Sequence, residues 1–317
     1  MNPGYDKALY LLPFDHRHSY VSGLFGFKPP LTVSQHEEVT HSKQLIYEGF
    51  RYALCCGVSG DAAGILVDEE FGADILRDAH RRGFITALSV EKSGSVEFDF
   101  EYGAEFASHL EAFDPSFAKV LVHYNPEGDD ELNLRQSARL KQLSDYCRRG
   151  GRRFMFELLV PATESQMKQV LGDQDAYDRE TRPRLMQQAI CSLQNAGIEP
   201  DVWKIEGLAL RADCERIVKM ARRDGRSKVG CIVLGRGADE SKVREWLATA
   251  ASGEGFIGFA VGRTTFWDAV SGYHARTLTR DAAIVQIAGR LREWVNVFER
   301  ARRSSLADNP AVAGVMP

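Results

Sequence analysis

One pattern repeats along the whole chain and limits what it can become. A short apolar run of strand length is followed by a longer stretch whose apolar residues recur at helical spacing. The strand-length runs fall at residues 8–14, 64–67, 84–90, 118–123, 153–159, 202–206, 229–234 and 256–261. Each is compact and often β-branched, as in parallel strands covered on both faces. Helical stretches lie at 40–56, 71–82, 131–149, 182–196, 212–224 and 282–303, with a weaker one near 101–112. The 131–149 stretch ends in Arg148-Arg149-Gly150-Gly151, a basic last turn and a glycine stop. Eight strand-then-helix units within 317 residues predict an α/β chain folded as a single (β/α)8 TIM barrel. The expected domain spans 1–317, with a core at about 8–303 and a frayed tail at 305–317. A doubly wound open sheet would call for a Gly-rich turn after the first strand, where Pro13-Phe14-Asp15-His16-Arg17 stands instead. Residues 15–39 read as a long irregular loop, the usual place for a lid or part of a binding site.

Composition narrows the partners. The chain is 44% hydrophobic and 26% charged, enough for a sizeable core. A net charge of −4 gives no reason to expect nucleic acid or an anionic membrane as partner. No apolar run approaches the roughly 20 residues that span a bilayer. The N-terminus lacks a signal-peptide core, so a cytoplasmic protein is expected. Cys55, Cys56, Cys147, Cys191, Cys214 and Cys231 form no C-x-x-C pair and read as ordinary thiols. His16, His18, His36 and His41 match no common zinc spacing, so no metal is called for.

In a barrel of this kind chemistry gathers at the C-terminal ends of the strands. Polar residues there are Asp15, Asp68, Glu91, Lys92, Lys119, His123, Glu157, Lys204 and Glu206, then Gly235-Arg236-Gly237 and Gly262-Arg263. In Asp201-Val202-Trp203-Lys204-Ile205-Glu206, strand parity places Val202, Lys204 and Glu206 on one face and Trp203 and Ile205 on the other. The bulky apolar pair suits the helix side, so Lys204 is expected inside. Two uses fit an inward lysine. Desolvation favours a neutral amine that attacks a carbonyl, helped by a second cation such as Lys119. Alternatively Lys204 forms a structural ion pair with Glu157 or Glu206. Glu157, flanked by apolar residues, reads as an acid/base or as that partner. The two Gly-Arg pairs closing strands seven and eight are expected to hold a phosphate through backbone N–H groups and guanidinium forks. Asp68 suits an acidic loop or helix start better than a Mg2+ site.

Seven of these segments occur in the order seen in class I tagatose-bisphosphate aldolases. They are Pro13-Phe14-Asp15-His16-Arg17, Leu66-Val67-Asp68, Glu91-Lys92-Ser93-Gly94, Ala118-Lys119-Val120-Leu121, Phe156-Glu157, Asp201-Val202-Trp203-Lys204-Ile205-Glu206 and Gly262-Arg263. The chain more closely resembles the aldolase domain of myo-inositol catabolism, a 5-dehydro-2-deoxyphosphogluconate aldolase often fused behind a sugar kinase. The resemblance runs from about residue 8 to 300 and implies a stand-alone version. It implies Lys204 as the Schiff-base lysine, Glu157 and Lys119 as helpers in proton transfer, and Asp15 as the residue orienting substrate hydroxyls. It also implies phosphate held by Arg263 and the Gly235 turn, and a phosphorylated sugar substrate with no cofactor. Arg17 or His16 would meet a substrate carboxylate. Barrel aldolases commonly associate, so a homo-oligomer fits, although no residue marks an interface. Three departures bear on substrate choice: His16 replaces a glutamine, His123-Tyr124-Asn125 replaces an aromatic pair and an aspartate, and Gly235-Arg236 stands where small residues are usual.

Overall fold

A computed structural model describes residues 3–307. Eight parallel strands close into a barrel in chain order: β1 (Leu9–Pro13), β2 (Ala63–Val67), β3 (Ile85–Ser89), β4 (Phe117–His123), β5 (Arg153–Leu159), β6 (Val202–Glu206), β7 (Gly230–Leu234) and β8 (Phe256–Ala260), with β8 pairing back onto β1. The helices are α1 (His18–Phe25), α2 (Val33–Cys55), α3 (Glu69–Arg81), α4 (Phe106–Phe113), α5 (Asp130–Arg149), α6 (Glu164–Gln169), the short α7 (Gln174–Ala176), α8 (Arg182–Asn195), α9 (Arg211–Ala221), α10 (Glu240–Ala251), α11 (Arg263–His274) and α12 (Arg280–Ala307). A π-helical turn, Tyr177–Thr181, leads into α8. The predicted (β/α)8 barrel is the observed fold.

Strand parity sorts the core into two bodies. Leu11, Leu66, Ala87, Phe117, Met155, Val202 and Ile232 point inward and pack as one apolar layer across the lumen. Trp203 and Ile205 face the helices and join the larger outer core. Two residues further along β4, β5 and β6 the inward positions turn polar, giving Lys119 above Phe117, Glu157 above Met155 and Lys204 above Val202. The apolar layer is therefore the floor on which the polar groups stand.

The sequence reading needs correction at residues 15–39. That segment is not an irregular loop. It holds α1 and the first turns of α2, which starts at Val33 rather than near residue 40. A capping box fixes that start: the Thr32 side chain accepts from the Gln35 N–H, and the Gln35 side chain accepts from the Thr32 N–H. The first turns of α2 carry Gln35, His36, Glu37 and Glu38, so no apolar stripe announces them. At the other end α12 runs to Ala307, so residues 305–307 are helical rather than tail. The rest of the expected tail, 308–317, lies outside the described residues. Among the described residues no helix is long and apolar enough to cross a membrane.

Candidate active site

The polar layer above the floor centres on Lys119, a side chain almost without solvent exposure. An ammonium there is tolerable only if fully paired. Three carboxylates from three strand ends surround it: Asp15 Oδ2 at 2.7 Å, Glu91 Oε1 at 2.7 Å and Glu157 Oε2 at 2.8 Å. The other oxygen of Glu157 meets Lys204 Nζ at 2.6 Å. Glu157 thus stands between the two lysines as a bridge. The adjacent registers explain it, because Glu157 is paired with Leu121 on β4 and with Lys204 on β6.

The charges are set by this packing. Burial alone would lower the Lys119 pKa, but Asp15, Glu157 and Glu91 outweigh it and hold Lys119 well above the ordinary lysine value. Burial works to raise Asp15 and Glu157, yet the cations win, chiefly Lys119 and then Lys204, and both carboxyls lie below their usual range. Glu91 goes the other way. Burial outweighs Lys119, Asp15 adds like-charge repulsion, and its pKa is raised. His16 is pushed down to about 4, first by burial and against the pull of Asp15.

The cluster opens onto a cavity of about 290 Å³, at the lower edge of the small-molecule range of about 300–1,000 Å³. Asp15, Glu91, Lys119, Glu157 and Lys204 form its base, and His16, Arg17, His123 and the loop Lys92–Phe98 form its walls. Several polar atoms here are buried without a partner: His16 Nδ1, Arg17 Nε and Glu91 Oε2, with Ser89 Oγ nearby on β3. Unsatisfied groups of this kind are rare in native interiors. Their grouping around one cavity marks a place built for a polar ligand. A larger cavity of about 430 Å³ lies at the opposite end of the barrel, against Gly4, Arg153 and Asp201. It holds none of these groups. Among the described residues no group of three or more His, Cys, Asp or Glu is arranged to hold a metal ion.

A family model described as "Uncharacterized protein conserved in bacteria (DUF2090)" matches residues 3–302. The chain belongs to the DUF2090 family. No curated protein matches it. Solved structures similar to this DUF2090 barrel include Cgl0159 from Corynebacterium glutamicum, at 16% identity over 92% of this chain and 88% of that one, with a TM-score of 0.54. A fructose-bisphosphate aldolase from Slackia heliotrinireducens matches at 13% identity, 89% and 86% coverage and a TM-score of 0.54. The fructose-bisphosphate aldolase of Plasmodium falciparum matches at 14% identity, 97% coverage of both chains and a TM-score of 0.55. At these identities the likeness establishes the shared fold.

The structure sorts the residues singled out in the DUF2090 sequence into those gathered at the cavity and those elsewhere. Asp15, His16, Arg17, Glu91, Lys92, Lys119, Glu157 and Lys204 line one cavity. Asp68 is not among the lining residues. It is ion-paired to Lys43, with neither side chain exposed, and it caps α3 by accepting from the Phe71 N–H at 2.8 Å. Lys43, hidden in the middle of α2, gave no sign in the sequence. Arg236 is also elsewhere. It pairs with Asp178 at 2.7 Å and Glu206 at 3.3 Å, beside a separate cavity of about 440 Å³. Gly235, Gly262 and Arg263 do not line the Lys204 cavity. The Arg263 guanidinium donates to the Arg236 carbonyl, and its charge is felt by His16.

Two expectations about charge change. Lys119 is not a bare cation beside Lys204, because Glu157 lies between them. Burial disfavours the His16 imidazolium and pushes its pKa down to about 4, so His16 would meet a carboxylate as a neutral N–H donor rather than as a standing cation. Arg17 remains charged, its pKa raised by Glu91 and Asp68 against burial. It is held by Glu101 at 2.5 Å and by the Glu91 carbonyl. His123, read as a polar residue at a strand end, lines the cavity, as does the Ser93–Val96 turn, which periodicity did not mark. His123 shares the inward parity of Lys119 at the end of β4, and that was the available signal.

Proposed function

We propose that this protein is a class I aldolase that cleaves a ketose phosphate through a Schiff base on Lys204. The observation that carries the reading is the Lys204 amine on the cavity wall, 2.6 Å from an ionised Glu157. A lysine must lose a proton before it attacks a carbonyl, and Glu157 is within reach to take it. The amine adds to the ketone and water leaves. The resulting iminium is an electron sink for the carbon–carbon bond two atoms away. Lys119 stays charged and keeps the carboxylates in place. Asp15, also ionised, accepts hydrogen bonds from substrate hydroxyls.

The favoured substrate is 5-dehydro-2-deoxygluconate 6-phosphate, cleaved to dihydroxyacetone phosphate and malonate semialdehyde. Its carboxylate end would meet Arg17, the charged side chain on the cavity wall whose Nε is unpartnered. Its phosphate would reach beyond that cavity to the start of α11, where Arg263 follows Gly262 and no side chain caps the first N–H groups. The names of the similar barrels, two of them fructose-bisphosphate aldolases, agree with aldol chemistry.

The test is a panel of ketose phosphates, including tagatose 1,6-bisphosphate and a sulfonated ketose phosphate, each added with borohydride. Intact-mass spectrometry should find a covalent adduct on the wild type and none on Lys204→Met. Absence of any wild-type adduct across the panel, with cleavage still observed, would overturn the Schiff-base route. Binding without an adduct or cleavage would favour a non-catalytic sugar-phosphate-binding barrel.

A further inference from the structure

Three carboxylates share the Lys119 ammonium, and they are not equivalent. Glu157 has both oxygens taken, one by each lysine. Asp15 is held ionised by Lys119 and Lys204. Glu91 gives Oε1 to Lys119 and keeps Oε2 buried with no donor to meet it. A bare carboxylate oxygen shut away from water is unfavourable. A bound proton, or a ligand hydroxyl pointing at it, removes the penalty. The last torsion of a glutamate side chain is soft, so its carboxyl can turn toward the cavity while staying beside Lys119.

We propose that Glu91 is the residue that takes the substrate's hydroxyl proton during carbon–carbon cleavage and returns it afterwards. This rests on the Schiff-base reading above. In the iminium, the hydroxyl beyond the scissile bond passes its proton to Glu91, and the O–H electron pair becomes the aldehyde C=O. The carbon–carbon bond breaks, its electrons form the enamine C=C, and the iminium π pair returns to nitrogen. When the aldehyde has left, protonated Glu91 delivers the proton to the enamine carbon. The iminium re-forms, water releases the second product, and Glu91 ends as it began. Lys119 from β4, Asp15 following β1 and Arg17 before α1 are the charged groups that face Glu91. Together they leave it the carboxyl of the three most ready to hold a proton.

The experiment compares wild type, Glu91→Gln, Glu91→Asp and Asp15→Asn with the ketose phosphate that the wild type cleaves. Adduct yield under borohydride is read by mass, and single-turnover cleavage is followed against pH. Glu91→Gln should trap the adduct in wild-type yield yet cleave roughly 10²–10⁴-fold more slowly, the usual contribution of general acid–base catalysis. The wild-type rate should fall on the acid side through a group titrating above the ordinary glutamate range. That limb should be absent from Glu91→Gln and kept in Glu91→Asp and Asp15→Asn. Cleavage by Glu91→Gln within threefold of wild type, or loss of the limb in Asp15→Asn, would overturn the assignment while leaving the Schiff base standing. If Glu91→Gln does not fold, a limb lost in Glu91→Asp overturns it equally. A wild type that cleaves without any adduct would instead remove the Schiff base, and this assignment with it.

Discussion

Lys43, Lys119 and Lys204 are all buried in ion pairs, and the first two differ in kind. Lys43 meets one carboxylate, Asp68, with both side chains sealed from solvent. Burial dominates there and draws the Lys43 pKa below its ordinary value. Lys119 meets three carboxylates, and its pKa rises. One unpartnered atom, Thr40 Oγ1, lies a turn before Lys43 on α2, and that pair lines none of the described cavities, whereas His16 Nδ1, Arg17 Nε and Glu91 Oε2 gather near the second beside a cavity. A buried ion pair by itself therefore says little about function. Surplus carboxylates, a group of unsatisfied polar atoms and an adjoining space are what single out Lys119 as the candidate site.

The sharpest way to break this comparison is to remove each lysine. Lys119→Met should destabilise the fold by roughly 3–5 kcal/mol in urea unfolding, because it strands buried carboxylates. It should also abolish cleavage in the fraction that remains folded. Lys43→Met should destabilise over a similar range but lower the folded fraction's kcat far less, since Lys43 touches the cavity only through the His16 backbone carbonyl at 3.0 Å. Adding Asp68→Asn to Lys43→Met should recover part of the loss, since asparagine still caps α3 and no bare charge remains. Full activity in Lys119→Met would erase the distinction between the two pairs.

A second test uses acid. The folded pKa of His16 is about 4, against roughly 6.5 for an unfolded histidine. Between those values the unfolded chain binds more protons, so folding weakens as pH falls through that window. His16 should account for about 2 kcal/mol of lost stability by pH 4.5. His16→Gln should lose correspondingly less between pH 7 and pH 4.5 in paired urea titrations. Equal losses in the two proteins would mean that His16 is not held neutral. A third and smaller contrast sets Arg263 against Arg236. Arg263→Ala should raise KM for a phosphorylated substrate about 10–100-fold, the range for one hydrogen bond to a charged group. Arg236→Ala, already committed to Asp178 and Glu206, should change KM less than threefold.

Much of the architecture was legible from periodicity. The run at 84–90 became β3 at Ile85–Ser89, and 229–234 became β7 at Gly230–Leu234. Parity also placed Trp203 and Lys204 on opposite faces of β6 as they are found. The start of α2 was not legible, because a polar first turn carries no apolar rhythm and its capping box lies in what reads as loop. Lys43 was invisible for a related reason. A lysine in a helix normally faces water, and only the approach of Asp68 from another element explains its burial. Asp68 and Arg236 do not line the Lys204 cavity, because a strand end tells where a side chain begins, not what it meets. Arg236 is drawn aside by Asp178, which stands on a π-helical turn that no periodicity announces.

The apolar floor beneath Lys119 and Lys204 carries a consequence for traffic. It closes the chamber toward the far end of the barrel, so that access lies on the side of the strand-end loops. Under the proposed cleavage on Lys204, both products must leave from the strand-end side by which the substrate came. If Lys204 carries the proposed Schiff base, the fragment still tethered to nitrogen is the last to go, and the water that frees it enters once the first has made room.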